Sequence, residues 1–368
     1  MKILTLGGAT QDIFILYEDA ETMHLHTKLG KQSYMLLKEG SKIEVTDIIY
    51  STGGGANNTA LSFRQLGFDV GIIVKIAQDQ QGEFILKTLK KEGVVTDHII
   101  ISHQGQTGLS FIIPSLAHDR SIFAYRGVNA TLSEREIPFD VIKNYNYLYV
   151  TSLSGESSHL LLPIVTTAKK SNIPVATNPG TSQLIAGAPG LRESLPFIDI
   201  LITNSAEAKT FMLSLVQTSD QVKSNIKKQV SKPSQQQQPS LLNQPISIEN
   251  ILFSLNTYFQ SVLEHGPKIV VVTNGAEGVY VATQDAIYFH PALPIKVINT
   301  LGAGDAFGSS FVGSLAAGKS VEQAIRHGII NSASVIGFMN TKQGLLSMQE
   351  LEKRAQQLDQ KLLQKFAL

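Results

Sequence analysis

The stretch 299–312 holds the residues of this chain best suited to chemistry. Gly302, Ala303 and Gly304 are followed by an acid, Asp305, and then by apolar residues at helical spacing. A glycine-rich turn that enters a helix leaves backbone N–H groups unpaired beside the positive end of the helix dipole, which suits an anion. An acid at its edge can accept a proton from an alcohol while the turn holds a phosphate. The alternative is that Asp305 is an ordinary N-cap after a turn.

Further polar clusters follow predicted strands or precede a predicted helix. They are Asp12, the glycine-rich residues 53–58, residues 204–207 and residues 273–278. In open α/β sheets, ligands bind outside the carboxyl ends of the strands. We therefore expect these clusters to share one edge of a sheet with the turn at 302–305.

The second half of the chain has the pattern that would position them. Strands predicted at 147–150, 175–177, 200–203 and 269–273 alternate with helical stretches. This alternation predicts a mostly parallel sheet covered on both faces. The β-prone segments at about 13–50 and 98–126 do not fit it, and they predict a small projecting sheet that serves as a lid or as an oligomer interface.

Residues 214–247 interrupt the α/β pattern. Residues 231–240 are rich in Gln, Ser and Pro without apolar periodicity, which is typical of a surface insertion. The α/β pattern resumes unchanged at Ile248. We therefore expect one domain over residues 1–368 that carries this insertion.

Composition excludes several classes of protein and site. With 43% hydrophobic and 17% charged residues, the 368-residue chain has the composition of a soluble globular protein. A net charge of +1 gives no electrostatic case for nucleic acid, and the absence of cysteine excludes disulfides and thiolate sites. No signal peptide and no membrane-length apolar run is evident, so we expect a cytoplasmic protein without a membrane partner. The sequence has neither a P-loop nor a dinucleotide-binding glycine pattern.

Taken together, the clusters resemble the ribokinase-like (PfkB) family of carbohydrate kinases over nearly the whole chain. Residues 53–67 look like the first family signature and residues 299–312 like the second, with residues 204–207 and 273–278 as the phosphate and nucleotide motifs. The resemblance implies a ribokinase-like three-layer α/β/α sandwich with a mostly parallel central sheet and a small β-sheet lid. It implies transfer of the γ-phosphoryl group of ATP to a sugar hydroxyl, with Mg²⁺.

The resemblance also assigns roles around the phosphoryl group. Asp305 is expected to be the base, and Gly302, Ala303 and Gly304 the anion hole. The residues expected to bind nucleotide and metal are Asn204, Glu207 (to Mg²⁺ through water), Thr273, Gly275, Gly278 and Asn331. The alternative for residues 204–207 is a polar helix start, and for Asn331 it is helix packing.

A second group is expected to bind the substrate. Its members are Asp12, Gly54, Gly55, Asn58 and Arg126. An acid and an amide suit vicinal diols, and glycines allow close approach to the backbone. The alternatives are turn chemistry and, for Arg126, a solvated side chain in a hairpin.

Two departures from the family pattern stand out. Asn299 occupies the position of a usual Asp that helps to hold a monovalent cation; it offers an oxygen without a charge, which weakens the expectation of K⁺ activation. Ser152 and Ser154 occupy the stretch where ribokinases carry a substrate-binding glutamate, which argues against ribose.

Two other functions remain open. One is a nucleoside kinase on the same scaffold, for which Phe14, Phe111 and Phe123 are candidates to cover a base. The other is a catalytically inactive relative that binds a sugar or a nucleotide. A homodimer through the lid is also consistent with the resemblance.

Overall fold

A nine-stranded sheet forms the centre of the part of the chain that the computed structural model describes, which is residues 1–17, 21–27, 30–114, 120–185, 190–218, 239–243, 246–248 and 251–368. The strands are β1 Lys2–Leu6, β2 Thr10–Leu16, β3 Glu21–Thr27, β4 Gly30–Leu36, β5 Asp47–Gly53, β6 Asp69–Ile73, β7 Lys75–Ala77, β8 Ile100–Ser102, β9 Gly108–Pro114, β10 Arg120–Tyr125, β11 Tyr147–Val150, β12 Val175–Thr177, β13 Ile200–Asn204, β14 Ile246–Ile248, β15 Ile251–Phe253, β16 Ile269–Thr273, β17 Val279–Ala282, β18 Ile287–His290 and β19 Gln364–Phe366.

Helices connect most of these strands. The α-helices are α1 Gly55–Gln65, α2 Gln80–Lys91, α3 Phe139–Ile142, α4 Leu161–Lys170, α5 Thr181–Leu184, α6 Leu191–Ser194, α7 Ser205–Thr218, α8 Ser240–Asn243, α9 Leu255–Leu263, α10 Ala303–Ala316, α11 Val321–Val335 and α12 Met348–Gln357. Short 3₁₀ segments include Gly127–Thr131 and Gly275–Glu277.

The large sheet has the strand order β19-β18-β17-β16-β13-β12-β11-β1-β6. From β16 to β6 neighbouring strands are parallel, whereas β17, β18 and β19 add an antiparallel edge. Parallel strands need long crossovers, so helices cover both faces of the sheet. The carboxyl ends of β1, β11, β12, β13 and β16 meet along one edge.

Burial on both faces follows from the apolar strands. Ile3 packs into one core with α1, α2, α10 and α11, and its neighbour Leu4 packs into the other with α4, α7 and α9. Successive side chains of a strand point to opposite faces, so an unbroken apolar run serves both cores. Each fully buried Leu or Ile side chain contributes about 1.5–3 kcal/mol relative to exposure.

A separate four-stranded sheet, which we call the lid, has the order β10-β9-β2-β5. The register pairs Asp12 with Ser110 and Ser51, so these three side chains share one face. Ile13 pairs with Phe111 and Tyr50 and therefore lies on the opposite face, which we call the outer lid face.

The three-layer α/β/α fold expected from the sequence is confirmed. The strands at 147–150, 175–177 and 269–273 have the predicted bounds, but the antiparallel edge was not predicted. The predicted insertion at 214–247 falls largely outside the described residues, and residues 214–218 continue α7 instead. In the described ranges, no helix is long and apolar enough to cross a membrane.

Candidate active site

The turn before α10 has the backbone shape that the sequence predicted. Gly302 caps the helix with φ of +78°, a left-handed conformation that L side chains rarely adopt. A Cβ on Gly302 would lie 2.7 Å from Thr341 Cγ2, whereas a Cβ on Gly304 would meet no atom within 4 Å. The backbone is therefore open beside Gly304, which leaves room for a ligand at the start of α10.

Asp305, in the first turn of α10, is held by side chains from two distant segments. Asn58 Nδ2 donates to Asp305 Oδ2 at 2.8 Å. Thr341 Oγ1 in turn donates to Asn58 Oδ1 at 3.1 Å, which fixes the orientation of the amide. Sequence analysis placed Asn58 against the substrate; in the structure its amide holds the candidate base.

The carboxyl of Asp305 lies in an environment that disfavours its charge. Its pKa is raised to about 6, chiefly by burial; the bond from Asn58 lowers it, and the nearby carboxylates of Asp12 and Glu207 add to the rise. Burial likewise raises the pKa of Asp12 and of Glu207. The carboxyls of Asp12 on β2 and Glu207 on α7 are near enough to act on Asp305, and the pKa of Asp305 lies in the range useful to a general base.

Asp12 lies on the face of the lid opposite to the outer lid face. Thr10 Oγ1 donates to Asp12 Oδ1 at 2.9 Å, and the carboxyl occupies the space where Gly53 lacks a side chain. A Cβ on Gly54 would lie 2.5 Å from Gly8 O, and one on Gly55 would lie 2.8 Å from Thr151 Cβ. Gly54 therefore lets α1 start close against the backbone of residues 8 and 9, and Gly55 against the Thr151 side chain; the prediction that they contact substrate stays a prediction.

Asn204 and Glu207 form a reciprocal cap at the start of α7. Asn204 N donates to Glu207 Oε2 at 2.8 Å, and Glu207 N donates to Asn204 Oδ1 at 2.9 Å. This is the polar helix start that sequence analysis kept as the alternative. It also fixes the Glu207 carboxylate close enough to Asp305 to influence its pKa.

The turn from β16 to β17 contains Thr273, Gly275 and Gly278. A Cβ on Gly278 would lie 2.1 Å from His290 O, so this glycine permits close packing. Gly275, at φ +53°, has nothing within 4 Å of that position. The open side of the turn therefore lies at Gly275.

Asn331 is a packing residue in this structure. It is fully buried, and Nδ2 donates to Ser310 Oγ at 2.6 Å while Oδ1 accepts from Leu346 N at 3.0 Å. Ile330, Ala333 and Ser334 of the same helix line a cavity of about 290 Å³. Its other lining residues are Leu293, Ile295, Arg354, Gln357 and Leu358. Nucleotide binding by Asn331 stays a prediction.

Asn299 connects two loops. Nδ2 donates to Met339 O at 2.6 Å, and Oδ1 accepts from Leu301 N at 3.0 Å. Its amide thus braces the segment that leads into the turn at Gly302; its role as a cation ligand stays a prediction. Arg126 is exposed at the end of β10, beside the 3₁₀ segment 127–131.

Sequence analysis missed the contact between Arg120 and Thr300. The Arg120 guanidinium, at the start of β10, donates to Thr300 Oγ1, two residues before Gly302. Arg120 is a basic residue next to a predicted lid strand, and Thr300 lies in the second signature. Because the two positions are 180 residues apart, no local pattern indicated that they meet.

A family model described as "pfkB family carbohydrate kinase" matches residues 26–238 and 240–345. The chain belongs to the pfkB family. A 5-dehydro-2-deoxygluconokinase from Halalkalibacterium halodurans is 25% identical over 307 residues, covering 82% of this chain and 84% of that protein. The fold matches a ribokinase of Arabidopsis thaliana complexed with ribose and ATP (TM-score 0.69, 18% identity, 96% and 98% coverage) and a Burkholderia thailandensis nucleoside kinase in complex with inosine (0.72, 15%, 96% and 98%).

This membership confirms the resemblance drawn from the four clusters. This pfkB family member is thus a carbohydrate kinase, which is a phosphotransferase with an alcohol group as acceptor. Family membership gives the reaction class, and the geometry around Asp305 bears on how this chain would perform it.

Proposed function

We propose that this protein transfers the γ-phosphoryl group of ATP to a hydroxyl of a sugar, with Asp305 as the base. The observation that carries the proposal is the position of Asp305. Its carboxyl is held by Asn58 at 2.8 Å, has its pKa raised to about 6, and lies one residue after the open side of the turn at Gly304. Base and anion hole thus lie side by side, as transfer to an alcohol requires.

In the proposed reaction, the substrate oxygen attacks the γ-phosphorus while its proton passes to the Asp305 carboxylate. The bond from phosphorus to the bridging oxygen breaks, and ADP leaves with that electron pair. Backbone N–H groups of Gly302, Ala303 and Gly304 hold the transferring group and compensate charge as it develops. For Ala303 this means exchanging its 3.4 Å bond to Thr300 O for one to the phosphate. Asn58 keeps the Asp305 carboxyl oriented during the transfer.

Asp12 is the residue we propose to hold the substrate hydroxyls, together with Arg126. Asp12 shares the site-facing side of the lid with Ser110, so a sugar beneath the lid would meet an acceptor and a hydroxyl. Gly54, Gly55 and Asn58, at the start of α1, would line the same sugar site. Burial raises the pKa of Asp12, and a substrate diol would supply donors to its carboxylate.

The nucleotide base is proposed to occupy the cavity lined by Leu293, Ile295, Ile330 and Ala333. An apolar slot suits the faces of a purine. Residues 298 and 299, which precede the turn at Gly302, bond through their backbone N–H groups to Ile336 O just after α11, a helix that lines the cavity. Thr273, Gly275 and Gly278 would flank the phosphates.

The side chains at the start of α7 fit Mg²⁺ only if the ion keeps most of its water ligands. In the described part of the chain, no cluster of three or more His, Asp or Glu side chains could enclose a metal. Glu207, with Asn204 beside it, offers one carboxylate, which suits an ion that keeps most of its water. When bound, Mg²⁺ would neutralise phosphate charge; Glu207 would orient it through water.

A nucleoside substrate is the second candidate. The Burkholderia thailandensis nucleoside kinase has the same fold. Against it, Phe111 and Phe123 lie on the outer lid face, away from Asp12, whereas Phe14 is fully buried on the same face of β2 as Asp12. Two of the three aromatic residues suggested by sequence are therefore not placed to cover a base within one chain.

We propose the outer lid face as a contact between two copies of this chain. Five of its apolar side chains are between 38% and 58% exposed, namely Ile48, Tyr50, Phe111, Phe123 and Tyr125. They lie on β5, β9 and β10 of one sheet face, with Ile13 of β2 between them, and form an apolar patch of a kind that marks interfaces. A patch on an extended sheet face can bury itself against a second copy.

The proposed activity is tested by measuring ADP release with ATP, Mg²⁺ and a panel of sugars, sugar acids and nucleosides. Turnover with a sugar or sugar acid is expected. Turnover with nucleosides alone would show that the acceptor is a nucleoside, which is the second candidate. Binding of ATP or sugar without any turnover would show that the chain is a binding protein.

A further inference from the structure

The loop after α11 brings a lysine to the candidate active site. Thr341 Oγ1 donates to Asn58 Oδ1 at 3.1 Å, and the Thr341 side chain lies against Gly302. The loop therefore adjoins both the anion turn and the amide that holds the candidate base. Lys342 is the next residue. Its backbone N–H donates to Asn340 Oδ1 at 3.1 Å, which fixes the main chain from which the lysine side chain extends.

The Lys342 ammonium lies near the carboxyl of Asp12. Burial raises the pKa of Asp12 and lowers that of Lys342, and in each group the opposite charge of the other counteracts this shift. Two further charged groups act on Lys342, namely Glu92 and Lys91 at the end of α2, and they carry opposite charges. The ammonium thus lies on the side of the site where we propose that Asp12 holds the substrate.

The same ammonium has no ion pair or hydrogen bond among the residues that the structure describes, although the side chain is half-buried. A buried lysine elsewhere in the chain is paired: Lys75 Nζ lies 2.7 Å from Glu136 Oε1. Burial disfavours an ammonium unless an anion compensates it. Lys342 is near Asp12 without pairing with it, so its charge is available to a ligand that lies between them.

Asp12 and Lys342 offer complementary contacts to such a ligand. A carboxylate accepts hydrogen bonds from sugar hydroxyls, whereas an ammonium only donates. A neutral sugar would give the ammonium hydroxyl oxygens and leave its charge uncompensated beneath the lid. An anionic substituent would give it a charge-assisted hydrogen bond, which is stronger than a bond between neutral groups.

We propose that Lys342 is a substrate-binding residue that selects sugars bearing an anionic group, a carboxylate or a phosphate. The inference rests on the proposed kinase function and names the substrate class of the same site. The groups that act on the Asp305 carboxyl are Asn58, Asp12 and Glu207, so we expect Lys342 to meet a part of the substrate other than the reacting hydroxyl. No bond forms or breaks at the anionic group, and Lys342 should therefore control KM more than kcat.

The test uses acceptors that differ only in charge. Aldonic acids are compared with their alditols, and sugar monophosphates with the unphosphorylated sugars, in steady-state assays with ATP and Mg²⁺. Wild type should prefer the anionic member of one pair by about tenfold or more in kcat/KM, as expected for one hydrogen bond to a charged group. The preferred pair identifies the group as a carboxylate or a phosphate.

Replacing the lysine should remove this preference. In Lys342→Met we expect KM for the anionic acceptor to rise by about 10- to 100-fold, with little change in kcat or in kcat/KM for its neutral counterpart. Lys342→Arg keeps the charge and should retain most of the preference. Lys170→Met, at an exposed lysine in the last turn of α4, is the matched control and should behave as wild type.

Two kinetic results would overturn the assignment. One is an equal loss for anionic and neutral acceptors in Lys342→Met, because the lysine would then only keep Asp12 charged. The other is a wild-type preference for neutral acceptors, which would leave the kinase function intact. If Lys342→Met does not fold, Lys342→Gln takes its place.

Binding measurements separate this inference from the kinase function. The same acids and phosphates are titrated calorimetrically into wild type and Lys342→Met without ATP. Weaker binding of an anionic sugar to the variant would support the site even if no acceptor were phosphorylated, a result that would refute only the kinase function. Equal binding to both proteins would overturn the role of Lys342.

Discussion

At the scale of single residues, the Asp305 carboxylate lowers the stability of the fold at neutral pH, a cost that its proposed role as base would explain. Its folded pKa of about 6 lies above the ordinary value of 3.8, so folding favours the protonated carboxyl. The resulting cost is absent below pH 4, grows as pH rises through 6, and is complete at neutral pH. A carboxylate kept there despite that cost is typical of a functional site.

Replacing the candidate base should therefore separate activity from stability. In Asp305→Asn we expect kcat to fall by about 10³-fold, because no group takes the hydroxyl proton. The same variant should be more stable at pH 7 by about 1–3 kcal/mol, a gain that disappears toward pH 4. Kinetics and thermal unfolding at both pH values measure the two effects. Near-native turnover of this variant would remove Asp305 from the role of base.

Asn58 should set the acidic limb of the pH–rate profile. Wild-type kcat/KM is expected to rise with pH through about 6 as Asp305 ionises. The Asn58 amide donates to that carboxylate and lowers its pKa, so Asn58→Ala should move the limb to higher pH. Thr341→Val, which only releases the amide from its orienting bond, should move it less in the same direction. A limb that stays in place or moves to lower pH would contradict this account.

At the scale of elements, the start of α10 depends on two glycines for different reasons. Gly302→Ala places a Cβ against Thr341 at a positive φ, which we expect to cost about 1–3 kcal/mol and to lower kcat, because Thr341 holds Asn58. Gly304→Ala has space and joins a helix, so stability should hold or rise by up to about 1 kcal/mol. Its methyl group would nevertheless stand in the anion site and raise KM for ATP. Unfolding curves and steady-state kinetics of both variants measure these effects. If Gly302→Ala and Gly304→Ala lost the same stability, the different roles of the two glycines would be contradicted.

The elements also show what a sequence can predict. Strands such as β11 and β16 are short apolar runs bounded by polar residues, and their bounds followed from that pattern. β19 has the sequence Gln-Lys-Phe, which carries no such signal, and it is a strand because β18 offers an edge to pair with. Asn331 shows the same limit: periodicity located its helix, but only packing decides which side faces the cavity.

At the site itself, the local motifs could be predicted from the sequence, but the hydrogen bonds that join them could not. The glycine turn before Asp305 follows from four consecutive residues. The bond from Thr341 to Asn58 joins positions 283 apart, and that from Arg120 to Thr300 joins positions 180 apart. Such pairs are set by how the sheets and helices pack, which no short-range pattern records.

At the scale of the whole molecule, the outer lid face should control oligomeric state. We expect the protein to be a dimer at micromolar concentration, and Phe123→Glu combined with Tyr125→Glu to make it a monomer, since charges on this patch would be buried without partners. Val95→Lys, at an exposed apolar residue elsewhere on the surface, is the control. Light scattering after size-exclusion chromatography gives the mass. A wild-type monomer, or a dimer that survives both charges, would refute the interface.

The chain of bonds from Thr341 through Asn58 to Asp305 also has a consequence for biosynthesis. The base comes from α10, its partner from α1 near the beginning of the chain, and the residue that orients that partner from beyond α11. A ribosome-bound chain that has emerged through α10 would already contain Asp12, the turn at 302–304 and Asp305. The Asn58 amide would still lack the bond that orients it, so the nascent chain should reach its full rate of phosphoryl transfer only after residue 341 has left the exit tunnel.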